Sequence, residues 1–246
     1  MEKRVHSLGL GIAFVTALLS AQTGPSSAAA LPTVAAKTAG MAKYDGFIPF
    51  YWDERAGKIW FEVGTFDQEF LYYSSLPAGL GSNDVGLDRA QVADSRVVRF
   101  HRVGPKVLLI QSNYGFQAGT AEADVRRNVE DSFVISTIAG FEAAAEEGGR
   151  VLIDATAFFL RDSHYAAETI ARRNQGQFRV DPARSAIYLP ATKNFPLNTE
   201  VEALVTLAGT NPGPFLRGVA PDPEALTFRM HHSFVRLPEP GFKPRP

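Results

Sequence analysis

The sequence predicts an α+β fold, mainly antiparallel β with two or so short helices, in a single globular domain after a signal peptide. Three observations predict it. Apolar residues recur mostly with period two, the spacing of a strand with one buried face. The strand-like runs are joined by connections of hairpin length, several marked by glycine. Strands outnumber helices and do not alternate with them, which argues against a doubly wound parallel sheet.

The N-terminus reads as a processing segment. Lys3 and Arg4 precede the apolar stretch Leu8–Leu19, and Ala28-Ala29-Ala30 supplies an A-x-A cleavage site. The stretch is shorter than the about 20 residues that a membrane span needs. Residues 1–30 therefore read as a signal peptide cut after Ala30, and the mature chain is expected in the periplasm or outside the cell. Residues 31–43, rich in Ala, Thr and Pro, read as a flexible tether. Residues 44–246 read as the folded domain.

Within that domain, Lys58–Val63 alternates, with Ile59, Phe61 and Val63 on one face. Glu69–Leu76 is the next strand. Val97–Val103 and Lys106–Gln111 form a hairpin about Gly104-Pro105. Ala121–Thr137 carries Val125, Val129 and Phe133 at helical spacing, with Glu122 and Asp124 at its start, so it predicts an amphipathic helix. Phe141–Glu146 and Arg150–Ala155 form a second hairpin about Gly148-Gly149. Asp162 caps a short helix that Asn174 and Gly176 end. Strands follow near 178–180, 185–189, 200–207 and 224–237. The last places Leu226, Phe228, Met230, His232 and Phe234 on one side and offers itself as an unpaired edge for docking.

Composition narrows the chemistry. The chain is 45% hydrophobic and 21% charged, the proportions of an ordinary globular protein. It has no cysteine, which removes disulfides, thiolate nucleophiles and cysteine metal sites. The net charge of −1 gives no basic balance for nucleic acid. No apolar run after the signal peptide is long enough for a membrane helix.

No H-E-x-x-H motif occurs, and no G-x-S-x-G elbow. His231 and His232 are weak metal candidates. As neighbours on a strand they point to opposite faces, so they do not share a metal, and His232 falls among core residues. Gly79, Gly81, Ser82, Asn83 and Asp84 form a candidate functional loop. Its spacing fits neither phosphate-binding pattern, and a tight turn accounts for its residues. Asp154, in an apolar strand, calls for a buried partner from Arg150, Arg161 or Arg184. Trp52, Trp60, Tyr51, Tyr72 and Tyr73 lie close together, and period two assigns them to packing. No catalytic and no cofactor-binding residue is assigned.

Several stretches resemble one family. They are YDGFIPFYWD (Tyr44–Asp53), FLYY (Phe70–Tyr73), GLGSNDVGLDR (Gly79–Arg89), VRFHRVGPKVLLIQSN (Val98–Asn113), RSAIYL (Arg184–Leu189), FPLNTEVE (Phe195–Glu202) and RMHHSFVRLP (Arg229–Pro238). In this order they resemble the N-terminal, uncharacterised region of large secreted bacterial zinc-dependent metalloproteases. The resemblance implies a parent whose zinc and H-E-x-x-H domain lie outside these residues. The expected function is then that of an exported, non-catalytic domain that packs on, regulates or presents peptide substrate to a metallopeptidase domain in cis or in trans. Two rival expectations are a truncated zinc metallopeptidase whose hydrolytic domain lies beyond residue 246, and a free-standing periplasmic binding or structural module.

Overall fold

A computed structural model describes residues 30–81, 84–120, 122–239 and 241–242. The expected signal peptide, Ala30 apart, lies outside them. Leu31–Pro246 make up one compact unit. Its elements run α1 (Val34–Lys37), β1 (Ala42–Tyr44), β2 (Phe50–Asp53), β3 (Lys58–Val63), β4 (Glu69–Ala78), β5 (Gln91–Val92), β6 (Arg96–Val103) and β7 (Lys106–Gln111). Then come α2 (Ala123–Ser132), β8 (Ser136–Glu147), β9 (Arg150–Asp154), α3 (Thr156–Phe159), α4 (Ala166–Arg172) and β10 (Gln177–Val180). The described residues continue with β11 (Ala186–Ile187), β12 (Lys193–Asn194), β13 (Asn198–Thr210), α5 (Pro214–Val219) and β14 (Ala225–Arg236).

The strands form one antiparallel sheet in the order β1-β2-β3-β9-β8-β7-β6-β4-β14-β13-β10, with β11 and β12 on β13 and β5 on β4. Its two ends meet. Phe47 N donates to the Phe195 carbonyl at 2.8 Å, and Ile48 N to Thr199 Oγ1 at 2.9 Å. Asn194 Nδ2 reaches the Tyr44 and Ile48 carbonyls at 2.9 Å each. The sheet thus curls into a near-closed barrel. Register shifts in β7–β8, β8–β9 and β4–β14 mark bulges, which bend strands and help the sheet to turn.

The barrel interior is an aromatic core. Phe234 on β14 meets the rings of Phe61, Phe70, Tyr72, Phe158 and Phe159 at centroid distances of 5.2–6.2 Å. The expected period-two row of β14, Leu226 to Phe234, is buried throughout. The aromatic group near the N-terminus also packs: Tyr51, Trp60 and Tyr72 are buried. Both expected hairpins are present, with β6–β7 and β8–β9 paired across their glycine turns. Asp162 caps α4 as expected, accepting from Ala166 N at 2.9 Å and Ala167 N at 2.8 Å.

Four expectations need correction. The segment expected to be a loose tether is packed: Val34 is 2% exposed and joins Tyr51, Trp60, Ala145 and Leu152 in a second cluster. Thr33 caps α1 through Ala36 N, and the Pro32 carbonyl accepts from Glu146 N at 3.0 Å. β14 is not an edge, because β13 flanks it on one side and β4 on the other. Asp154 pairs with Lys58 at 2.7 Å and not with an arginine, because β3 lies beside β9 in register. Lys58 and two Thr156 bonds outweigh partial burial, so the Asp154 carboxyl stays below its ordinary range. Finally, the helix expected over 121–137 is shorter: α2 stops at Ser132, Phe133 is extended, Ser136 and Thr137 open β8, and none of the α2 residues is buried.

Candidate functional site

The strands β4, β6 and β7 turn their apolar side chains inward, so Glu69, Arg99 and His101 face outward. Glu69 and Arg99 are cross-strand partners. The chain then leaves β7 through Ser112–Gln117 and returns through α2 and Phe133–Ile135. An open cleft of about 1110 Å³ lies against this outer face and the returning arm.

The polar part of the cleft is a linked set. Glu69 accepts from Ser112 Oγ at 2.8 Å and from the Tyr114 hydroxyl. Arg99 Nη1 donates to Ser112 Oγ at 2.7 Å, and Asp67 accepts from His101 Nδ1 at 2.7 Å. Burial, and then the Glu69 carboxylate at its hydroxyl, push Tyr114 up to about 12. Tyr114 therefore stays a protonated donor at neutral pH. The apolar part is Phe116 stacked on Phe133 at 3.7 Å, with Val129, Val134 and Ile135. These side chains are unusually open to water: Phe116 is 52% exposed and Val134 82%.

A second polar group lies on the outer face of β13 and β14. His231 Nε2 meets Glu200 Oε2 at 2.7 Å, and its Nδ1 meets Glu202 Oε2 at 3.2 Å. Ser233 Oγ and Asn198 Nδ2 also donate to Glu200, at 2.5 and 2.6 Å. Arg229 pairs with Glu202 and lies 4.6 Å above the Tyr188 ring. Burial lowers the His231 pKa, but the two carboxylates outweigh it and hold the net value above 6.5. Burial likewise raises Glu200, and bonds from His231, Ser233 and Asn198 outweigh it to leave the carboxyl low. This is a satisfied ionic ladder. Its serine bonds to the glutamate and not to the histidine, so it lacks the relay of a nucleophilic triad.

The two adjacent histidines do point apart. His232 lies inside the barrel with its Nδ1 3.0 Å from the Tyr72 hydroxyl, which accepts from Arg161 Nη2 at 3.0 Å. Tyr72 therefore donates to His232. Burial, the Arg161 charge and then His231 hold His232 down to about 3, so it is neutral at physiological pH. Among the described residues, no group of three or more His, Cys, Asp or Glu is placed to hold a metal. In the candidate loop, Ser82 and Asn83 lie outside the described residues. Gly79 is required by close approach: a Cβ there would stand 2.0 Å from the Leu87 carbonyl oxygen. Gly81 has a positive φ of 77°. Leu80 N donates to that Leu87 carbonyl, and Val85 and Leu87 drop into the core. The described part of the loop thus closes back on the barrel and packs there.

Residues 90–246 match the family described as Domain of unknown function (DUF5117). The chain belongs to the DUF5117 family. Searches among curated proteins and among solved structures gave no match. In this DUF5117 member, of the outer-face groups only His231 stands out from the sequence, and its carboxylate partners do not. Their signal is there: Glu200-x-Glu202 and Arg229-x-His231-x-Ser233 alternate with apolar residues on two paired strands. The Glu69–Arg99–Tyr114 set has no such local mark.

Proposed function

We propose that this chain is an exported, non-catalytic domain that works beside a zinc-dependent metallopeptidase, packing on it or presenting peptide to it. The observation that carries the reading is the arm of residues 113–135. It holds a helix with an apolar stripe, stacked aromatics and exposed branched side chains, none of them in the buried core. Apolar groups held open beside a cleft are what a binding partner would cover. The ordered series of segments resembling the N-terminal region of secreted metalloproteases supplies the kind of partner, and the N-terminal Lys-Arg, apolar run and A-x-A sequence supply export. Zinc would belong to the peptidase domain, in cis or in trans.

Hydrolysis of casein by the purified chain, with added zinc and with a chelator, tests the reading. No turnover is expected in either condition; robust, chelator-sensitive proteolysis would sink it. A self-contained core favours one alternative, a free-standing binding module in the periplasm. A truncated peptidase is the other rival, and an in-frame H-E-x-x-H downstream of residue 246 in the gene would decide for it.

A further inference from the structure

We infer that the cleft beside α2 takes an extended peptide that carries a lysine or arginine next to an apolar or aromatic side chain. The inference rests on the reading of this domain as one that presents peptide, and it names the class of peptide. Size and shape point to a chain segment: the cleft's about 1110 Å³ is at the upper end for small-molecule sites, and it is open. One wall is apolar, made by the Phe116–Phe133 stack with Val134 and Ile135.

The charge around that wall is unbalanced. The cleft is lined by Asp67, Glu69, Glu130 and Asp131 against Arg99 and Arg126. Glu69 is bonded by two hydroxyls and has no cation within ion-pair distance among the described residues. Glu130 and Asp131 stand in the last turn of α2, which holds no basic residue. Carboxylates there repel the negative end of the helix dipole, so they weaken the helix that carries them. A ligand cation beside the aromatic wall would offset both that repulsion and the excess charge, with added attraction to the ring faces.

The test is fluorescence anisotropy with labelled peptides GAFKAG and GAFEAG on the purified chain. Saturable binding of the lysine peptide, at least about fivefold tighter than the glutamate peptide and weakened by salt, is expected. The pair Glu130→Lys and Asp131→Lys should reverse this preference, while circular dichroism shows no loss of helix, because the change favours the dipole. Phe133→Ser should weaken both peptides. Equal affinity for the two peptides, or no saturable binding by the parent chain, overturns the inference. Chelator-sensitive proteolysis by the same preparation would instead remove the non-catalytic reading and leave the peptide preference standing.

Discussion

The strand β14 and the helix α2 both carry a regular apolar row, and the barrel uses them in opposite ways. On β14 every inward residue is enclosed, and Phe234 alone touches five aromatic rings. On α2 Val125 and Val129, with Phe133 just past the helix end, stay outside the buried core. Periodicity therefore reports that a face exists and leaves open what covers it. A row that is covered within the chain serves stability. A row left open costs solubility, and the partner proposed above is what would cover it.

The largest expected effect breaks the comparison at its stronger end. Phe234→Ala should lower stability by about 3–5 kcal/mol, since the site is ringed by rigid aromatics and collapses poorly. Phe133→Ser should cost under about 0.5 kcal/mol. Urea unfolding of the two variants measures both, and similar losses would erase the distinction between them.

Next in size is the outer ladder. Glu202 is 3% exposed and serves Arg229 and His231. Glu202→Ala strips Arg229 of its carboxylate and leaves His231 on Glu200 alone, and should cost about 2 kcal/mol, since Arg229 is partly open to water. Arg229→Gln, which removes only the more exposed partner, should cost less in the same unfolding assay.

A smaller effect separates the two histidines by pH. His231 is held above 6.5, so its contribution is full below about pH 6.5 and fades as pH rises through the raised value. Glu200 is held below 4.5, so its contribution is present above about pH 4.5 and fades on acidification. His232, held near 3, acts against His231: the unfolded chain gains its proton near pH 6.5, and the folded state loses ground as pH falls from there. His231→Gln should flatten the decline on the alkaline side. His232→Asn should flatten the one on the acid side, whatever its cost at neutral pH. Urea midpoints between pH 5 and 9 read both slopes; parallel curves for the two variants would contradict the opposite environments.

The smallest effect lies in the arm. Amides of Ala123–Ser132 should exchange with solvent well before those of β13, since α2 buries nothing and its last turn is electrostatically opposed. Equal protection would mean that the arm belongs to the cooperative unit.

Much of the barrel was legible in the sequence because its rules are local. Glycine turns, the alternation of β14 and the Asp162 cap each depend on a few neighbouring residues. What was not legible depends on which strands lie side by side. β14 looked like an edge because alternation does not count neighbours. Asp154 called for an arginine, while the register of β3 against β9 placed Lys58 there. The stretch 31–43 read as loose by composition, although Thr33 is a good helix cap and Val34 a core residue. The cleft was hidden for the same reason: Asp67, Glu69, Arg99 and Tyr114 meet only once three strands and an arm are assembled.

The place of β14 between β13 and β4 also sets a schedule. The chain is made from its N-terminus, and β4 receives its long partner only when residues 229–236 have appeared. Until then Phe70 and Tyr72 lack the aromatic neighbour Phe234 that encloses them. Pairings this distant in sequence close slowly. Among the described residues the barrel is thus complete only with its last strand in place, and a chain stalled before it would present a sticky, unfinished sheet to its surroundings.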